Sequence, residues 1–387
     1  MAYSTAQRSP VSSRAAVLQG SSLGELLLLA RRRHAIDLAV GTPGYPEPSA
    51  DLLKAAADAM QAGRNQYDHP SGDLLLRERI AETLTPGADP HTELTITVGA
   101  TEALCVALLA TVDPGDEVIL LDPGYEQFRA AVALAGAVPR FVPLHPPTWR
   151  YDPADLAAAF SPRTRAVLLN SPANPTGRVL DHTELDEIAA LCERCDATVI
   201  CDEVYGTYVF DGRPSLSVSE VPGLAERSIV VGSLSKSHAI SGWRLGFLRA
   251  DAVRTEALRR VHELTTNGAA TPLQVAVGMA ALSMDLRIAT EQMGRCRDMA
   301  QTIFSRLGMK FAPAEGGCYL FADVSSLTGG QHGGKQFVLE LLDEAGVLLA
   351  PGAPFFADPA RGEQYVRIAF NRQTDVLREV EHRILGG

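Results

Sequence analysis

Six short apolar runs between residues 94 and 250 constrain the fold of this chain more than any other feature. Val, Ile and Leu follow one another in these runs, without the alternation with polar residues that marks a strand with one solvated face. Strands buried on both faces are therefore expected, as in a mostly parallel sheet covered by helices. The runs are LTITV (94–98), EVILLD (117–122), AVLLN (166–170), ATVICDEV (197–204), SIVVGS (228–233) and RLGFLRA (244–250).

The segments between these runs have the hydrophobic spacing of amphipathic helices, as in ATEALCVALLATV, YEQFRAAVALAGA and HTELDEIAALCERC. Alternating strands and helices predict an α/β fold. From about residue 285, a long amphipathic helix precedes two strand-like runs, GGCYLFADV and YVRIAF, which indicate a smaller α+β unit. We therefore expect a large domain over 51–284, a smaller domain over 285–387, and an N-terminal segment, 1–50, that joins the smaller domain.

Composition favours a large enzyme that acts on small molecules. The 387 residues are 46% hydrophobic, which allows a sizeable core, and the net charge of -11 opposes binding to nucleic acid or anionic membranes. The apolar runs all fall short of the roughly 18 residues that a membrane span requires. Cys192 and Cys195 form a CxxC pair without a second pair at metal-site spacing, so no metal is expected. Few cysteines and no secretion signal indicate a cytoplasmic protein with reduced thiols.

Ligands of open α/β sheets lie beyond the carboxyl ends of the strands, so the polar residues that follow the runs are candidates for a site. Gly99, Ala100 and Thr101 open a helix whose free N–H groups can receive a phosphate. Tyr125, after the second run, can present its aromatic face to a flat ring. Asn174, in the loop SPANPTG, can aim an amide at a ligand. An ordinary turn, a surface tyrosine and a common Asn-Pro turn are the alternatives.

Two further strand ends carry charged residues. Asp202 ends a buried run, where a carboxylate is costly unless it meets a cationic group, and Tyr205 follows it. The stretch GSLSKSHAISGWRLGF places Lys236 among hydroxyl residues, with Ser233 before it and Arg244 after it. A capped helix start with a solvated lysine is one interpretation of this stretch. The other is a nucleophilic amine beside a phosphate site, and all five loops together would then suit pyridoxal 5'-phosphate.

Here the sequence resembles the class I and II aminotransferases of fold type I. The resemblance extends over nearly the whole chain, and the order and spacing of its motifs make it specific. The motifs are LAVGTPGYP, YDHPSG, TVGATEAL, SPANPTG, CDEVY, SLSK, GWRLG and YVRIAF. The resemblance implies a large domain that binds pyridoxal 5'-phosphate and a smaller α+β domain.

The resemblance also assigns a role to each candidate that binds the cofactor. Lys236 is similar to the lysine that forms a Schiff base with the cofactor, Asp202 to the partner of the pyridine nitrogen, and Tyr205 to a donor to the 3'-oxygen. Asn174 matches the second donor to that oxygen, and Tyr125 the residue that stacks on the ring. The residues similar to phosphate binders are Gly99, Ala100, Thr101, Ser233 and Arg244.

Three further positions match residues that bind substrate or reach a second subunit. Arg367, in YVRIAF, is similar to the arginine that grips the substrate α-carboxylate, and Gly41 to the glycine that lies close to the substrate. Asn174 is expected to contact substrate as well. Tyr67, in NQYDHPSG, resembles the tyrosine that reaches a neighbouring subunit's phosphate, which implies a homodimer with shared sites.

Two departures from the family pattern fall near the expected substrate entrance. The usual acidic stretch is GTPGY here, with Thr42 and Gly44, and His238 stands where an aromatic residue is frequent. No second arginine for a distal carboxylate stands out. The expected reaction is therefore amino transfer between a neutral, aromatic or otherwise bulky L-amino acid and a 2-oxo acid.

Two rival functions remain open at this point. The same cofactor chemistry can give a β-elimination, a cyclising replacement or an oxidation of an amino acid. Aminotransferase-like domains also serve as effector sensors without catalysis. Such sensors carry a DNA-binding domain, and the first 35 or so residues are too short for one.

Overall fold

The computed structural model describes residues 11–16, 18, 23–44, 47–280 and 286–386. Within these ranges the strands are β1 (Ile36–Asp37), β2 (Leu94–Val98), β3 (Glu117–Asp122), β4 (Val138–His145), β5 (Arg150–Tyr151), β6 (Thr164–Asn170), β7 (Thr198–Asp202), β8 (Ser228–Ser233), β9 (Leu245–Arg249), β10 (Tyr319–Asp323), β11 (Val347–Leu348), β12 (Ala350–Pro351) and β13 (Tyr365–Ala369). The α-helices are α1 (Ser13–Ala16), α2 (Gly24–Arg32), α3 (Ala50–Gln61), α4 (Leu74–Thr83), α5 (Gly99–Thr111), α6 (Glu126–Ala135), α7 (Pro153–Ala159), α8 (His182–Cys195), α9 (Leu234–Ser237), α10 (Ala252–Thr265), α11 (Thr271–Ala280), α12 (Leu286–Leu307), α13 (Ser325–Thr328), α14 (Gly334–Ala345) and α15 (Thr374–Leu385).

Eight strands form one large sheet in the order β2-β9-β8-β7-β6-β3-β4-β5. Strands β8, β7, β6, β3 and β4 are parallel neighbours, whereas β9 runs antiparallel to both β2 and β8. All six predicted runs lie in this sheet, as β2, β3, β6, β7, β8 and β9. The expected α/β architecture is confirmed, and β4 and β5 are additions that the apolar pattern did not predict.

Strand β7 shows why its sequence lacks polar alternation. Val199 and Cys201 face a core that includes α8, and Ile200, between them, faces a second core that includes α5. All three side chains are buried. Burial of a large apolar side chain contributes roughly 1.5–3 kcal/mol, so both faces of the strand favour Val, Ile and Leu. Helices therefore cover the sheet on both sides.

A second set of strands lies apart from the large sheet. Strands β10, β13 and β12 form an antiparallel three-stranded sheet, in which Phe321 pairs with Arg367. The predicted strands GGCYLFADV and YVRIAF correspond to β10 and β13. Strand β1 pairs in parallel with β11, so the N-terminal part of the chain contacts the C-terminal part. The predicted domain limits stay a prediction, and the one at 284/285 adjoins residues outside the described ranges.

The topology places the carboxyl ends of the parallel strands at one edge of the large sheet. Asn170 ends β6, Asp202 ends β7 and Ser233 ends β8, and these three strands follow one another in the sheet. Among the described residues, no helix is both long and apolar enough to cross a bilayer.

Candidate active site

A cavity of about 370 Å³ lies at this edge of the sheet. Its volume lies within the range of pockets that bind small molecules. It brings together residues from five strand ends and from the N-terminal and C-terminal parts of the chain. The predicted residues that line it are Gly41, Ala100, Thr101, Tyr125, Asn174, Asp202, Tyr205, Ser233, Lys236, Arg244 and Arg367.

Lys236 lies in the short helix α9 and reaches across the cavity. Its Nζ donates to the carbonyl oxygen of Gly41 at 2.7 Å, and its own carbonyl accepts from the Tyr208 hydroxyl at 3.1 Å. Burial of the amine is the main reason that the pKa of Lys236 lies below its usual value. A larger fraction of this amine is therefore neutral and nucleophilic than in an exposed lysine.

Asp202 presents a buried carboxyl group at the end of β7. One of its oxygens accepts from the Val204 N–H at 3.1 Å. Burial raises the pKa of Asp202 to about 7, although the Val204 N–H and the charge of Lys236 act in the opposite direction. A cationic ligand group beside this carboxyl would restore its ionised form.

A pair of phenols also lines the cavity. The hydroxyl groups of Tyr205 and Tyr319 are 3.1 Å apart, and the two rings meet edge to face. Burial raises the pKa of both phenols, so each stays protonated and can donate a hydrogen bond. Burial also raises the pKa of Tyr125, at the start of α6, to about 12.

Arg367 is the buried cation of the site. It lies between the rings of Tyr319 and Phe355, with centroid distances of 4.3 and 4.6 Å. Its terminal nitrogens donate to Asn174 Oδ1 at 2.9 Å and to the Ala39 carbonyl at 2.6 Å. Its Nε is buried and has no hydrogen-bond partner in the part of the chain that the structure describes. A buried donor of this kind suits an anionic ligand group.

The predicted phosphate binders form one wall of the cavity. Gly99 opens α5 with φ of +74°, and a Cβ atom at this position would collide with the guanidinium of Arg244. The Arg244 side chain therefore lies directly over the backbone of the helix start, with its own Nη1 bound to the Ser241 carbonyl at 3.0 Å. Ser233 Oγ accepts from the Ser235 N–H at 3.0 Å. The helix start, hydroxyl groups and a guanidinium together suit a phosphate.

Two predicted residues do not themselves line this cavity: Gly99, which packs under the Arg244 guanidinium, and Tyr67. The side chain of Tyr67 is 89% exposed and borders a separate hollow, formed by residues 65–69, 267–272 and 274.

The cavity includes residues that sequence reasoning missed. Tyr319 pairs with Tyr205, Asn170 donates to the Asp202 carbonyl at 2.8 Å, and Glu126 lines the wall beside Tyr125. The position of Asn170 at the end of a buried run was the signal for that residue, since the same signal marked Asp202. Glu126 has the ordinary position of an acid in the first turn of a helix, and Tyr319 lies in a strand from a distant part of the chain.

Solved structures share this architecture. The N-succinyldiaminopimelate aminotransferase of Mycobacterium tuberculosis superposes with a TM-score of 0.90 at 34% identity, over 96% of this chain and 98% of that chain. A methionine aminotransferase from Escherichia coli superposes with a TM-score of 0.91 at 30% identity, over 97% of this chain and 98% of that chain. An aspartate aminotransferase from Thermotoga maritima superposes with a TM-score of 0.88 at 29% identity, over 97% of this chain and 98% of that chain. The fold is therefore that of the aspartate aminotransferase-like enzymes, fold type I.

Sequence comparison leads to the family itself. The family profile described as Aminotransferase class I and II matches residues 33–384. The probable N-succinyldiaminopimelate aminotransferase of Mycobacterium tuberculosis is 34% identical over 377 residues, which are 93% of this chain and 94% of that protein. The methionine aminotransferase of Escherichia coli is 32% identical over 368 residues, which are 93% of this chain and 94% of that protein. The chain belongs to the class I and II aminotransferases, and it is an enzyme that uses pyridoxal 5'-phosphate to transfer amino groups of amino acids.

Two adjacent carboxyl groups allow a test of how burial shapes the site. Burial raises the pKa of both Asp202 and Glu203 to about 7. Glu203 is a second, independent example of a buried carboxyl group. It lines a different cavity and accepts from Ser217 Oγ at 3.1 Å. A carboxyl group with a higher pKa in the folded than in the unfolded chain binds more protons when folded. The free energy of unfolding therefore falls as the pH rises from the unfolded pKa, about 4, to about 7.

We expect both Asp202→Asn and Glu203→Gln to stabilise the cofactor-free protein at pH 8, by about 2 kcal/mol or more. The gain should shrink as the pH falls and vanish at about pH 3, below the unfolded pKa, where the wild-type carboxyl groups are protonated in both states. Denaturant unfolding of the cofactor-free proteins across this pH range measures the difference. A variant less stable than wild type at pH 8 would contradict the effect of burial on that carboxyl group.

Proposed function

We propose that this aminotransferase moves the amino group of a neutral, aromatic or otherwise bulky L-amino acid to a 2-oxo acid, with Lys236 as the reacting amine. One observation carries the proposal. The same cavity contains the buried amine of Lys236, the buried carboxyl group of Asp202, and Arg367, whose Nε has no partner within the described residues. These groups complement an aldehyde, a pyridinium nitrogen and a carboxylate respectively.

The donor set suits the cofactor at each of its functional groups. Arg244, Thr101, Ser233 and the start of α5 would hold the phosphate, and Tyr125 would face the ring. Tyr205 and Asn174 would donate to the phenolic oxygen. When bound, pyridoxal 5'-phosphate supplies an aldehyde that forms a carbon–nitrogen double bond with an amine, and a ring that accepts an electron pair.

Lys236 has two tasks in this proposal. Its lowered pKa keeps part of the amine neutral, so it can bond to the aldehyde at neutral pH. As a free amine, Nζ would also be the base that takes the proton from the substrate α-carbon, and the ammonium group that results would be the acid that returns a proton. Asp202 would hold a proton on the ring nitrogen, where its carboxylate would balance the positive charge.

Arg367 orients the substrate for this proton transfer. Two of its nitrogens are fixed by Asn174 and Ala39, and its stacking on Tyr319 prevents rotation of the guanidinium. Binding of the α-carboxylate there directs the α-carbon toward Lys236. Leu23, Leu27 and Val40 line the remaining wall, which supports a neutral and bulky substrate side chain.

We also propose that the enzyme works as a homodimer in which Tyr67 completes the partner's phosphate site. The exposed phenol of Tyr67 supports this, since it lies away from the cavity of its own subunit. Leu53 in α3 and Met279 in α11 are exposed as well, and these two helices pack against each other. Large apolar side chains on adjoining surface helices are typical of an interface.

A cytoplasmic location completes the proposal. The six cysteines lie in described parts of the chain and none forms a disulfide there. Free thiols are typical of proteins in a reducing compartment.

The half-reaction tests the proposed chemistry. Protein loaded with pyridoxal 5'-phosphate and mixed with an amino acid, without an oxo acid, is expected to give pyridoxamine 5'-phosphate and one equivalent of 2-oxo acid. Chromatography of both products is the measurement. Lys236→Ala should slow this step by about a thousandfold or more, because general base catalysis is lost. Release of ammonia or peroxide in place of the aminated cofactor would instead support a lyase or an oxidase.

A pair of glycines tests the proposed phosphate wall. Gly99 and Gly115 both have positive φ, +74° and +96°, but an added Cβ meets the Arg244 guanidinium at Gly99 and open space at Gly115. Alanine should cost about 1–2 kcal/mol of stability at either position, because of the backbone conformation. We expect Gly99→Ala alone to weaken cofactor binding, by about tenfold or more. Equal affinity of the two variants in a fluorescence titration would show that Arg244 does not hold the phosphate.

Hybrid dimers test the role of Tyr67. We mix Lys236→Ala protein with Tyr67→Ala protein and let the subunits exchange. If Tyr67 serves the partner's site, each hybrid has one intact site, and activity should reach about a quarter of wild type. Native mass spectrometry shows whether hybrid dimers have formed. If they have, and the mixture is no more active than the two variants assayed separately and added together, Tyr67 does not act across the interface.

A further inference from the structure

Glu126 contributes an acidic group to the active-site cavity that the proposed mechanism does not use. It is the first residue of α6, directly after Tyr125, and it lines the same cavity as Lys236 and Arg367. The Oε2 atom of Glu126 is buried and has no hydrogen-bond partner in the described parts of the chain. A buried carboxylate oxygen without a donor is costly, unless a ligand brings the donor.

Two residues that line one cavity therefore each have a buried side-chain atom without a partner among the described residues. Arg367 Nε is a donor and Glu126 Oε2 is an acceptor. A ligand that satisfies both carries an acceptor at one end and a donor at the other. The arginine suits the α-carboxylate of an amino acid, as in the proposed function.

The donor for Glu126 has to come from the substrate side chain. The α-carboxylate of the substrate binds Arg367, and its α-amine reacts at the cofactor aldehyde. The side chain is what remains. Apolar residues such as Leu23, Leu27 and Val40 also line the cavity, which suits the body of that side chain. The carboxylate of Glu126 then accepts from its far end and repels a second carboxylate.

We infer that Glu126 selects amino acids whose bulky side chain ends in a nitrogen with a hydrogen to donate. The inference rests on the proposed function and adds the chemistry of the side chain to it. A neutral N–H and an ammonium group share this chemistry, and two pairs of substrates distinguish them.

Matched pairs of substrates measure the selection directly. 4-Aminophenylalanine differs from phenylalanine by a neutral amine, and lysine differs from norleucine by an ammonium group. In the holoenzyme, kcat/KM for the nitrogen-bearing member of at least one pair should exceed that of its partner by about tenfold or more, as a hydrogen bond to a charged group provides. A high ratio in the first pair identifies a neutral donor, and in the second a cation.

Two substitutions assign this ratio to Glu126. Glu126→Gln keeps the shape but removes the charge, and should lower the ratio several-fold. Glu126→Leu removes the acceptor and should bring the ratio close to one. The control is Asp375→Asn, which removes an exposed acid from the first turn of another helix, α15, and should keep the wild-type ratio.

Binding of unreactive analogues gives a second measurement that does not depend on turnover. 3-(4-Aminophenyl)propanoate and 3-phenylpropanoate lack the α-amine, and calorimetry with the holoenzyme gives their dissociation constants. If the first substrate pair shows the preference, wild type should bind the amino compound about tenfold more tightly and Glu126→Leu should bind the two alike.

Ratios near one in both substrate pairs with wild type, or a high ratio that survives in Glu126→Leu, would overturn the inference. Failure of every amino acid to aminate the cofactor would instead overturn the proposed function.

Discussion

Removal of ionisable groups from water is the physical constraint on which this active site depends. The amine of Lys236 and the carboxyl group of Asp202 both lie at the carboxyl edge of the large sheet. Burial lowers the pKa of Lys236 and raises that of Asp202, so it favours the neutral form of each group. Neither shift would persist on an exposed loop. The parallel strands β6, β7 and β8 produce this environment, because their carboxyl ends lie together in a cavity that residues from the N-terminal and C-terminal parts of the chain also line.

The C-terminal part of the chain completes the site through Arg367 and its aromatic neighbours. Strand β13 pairs with β10, so Arg367 and Tyr319 come from adjacent strands of the small sheet, while Lys236 lies in α9, directly after β8 of the large sheet. The Gly41 carbonyl, in the N-terminal part of the chain, accepts from Lys236 Nζ at 2.7 Å and from the amide of Asn371, just after β13, at 3.1 Å, so it links the two regions. Substrate recognition and proton transfer therefore depend on parts of the chain that are far apart in sequence.

Strands buried on both faces were the part of the fold that the sequence predicted well, because continuous runs of Val, Ile and Leu are typical of such strands. Strand β4 escaped that reasoning because Pro139 and Pro143 argue against a central strand. They are tolerated because β5 pairs with just Leu144 and His145 on the outer side of β4.

In the site, sequence motifs identified the functional residues at the strand ends, such as Asp202 and Ser233. Tyr319 and Glu126 required the folded chain, since no local pattern shows which side chains meet across distant elements.

The proposed bond between the cofactor and Lys236 is the central claim, and the composition of the chain makes it open to a direct measurement. The sequence has four lysines, of which Lys54, Lys310 and Lys335 are exposed. Borohydride converts a carbon–nitrogen double bond into a stable amine, so treatment of the cofactor-loaded protein fixes the cofactor where it is attached. Peptide mass mapping is then expected to find the phosphopyridoxyl group on Lys236. Its presence on the exposed lysines, with Lys236 unlabelled, would contradict the account.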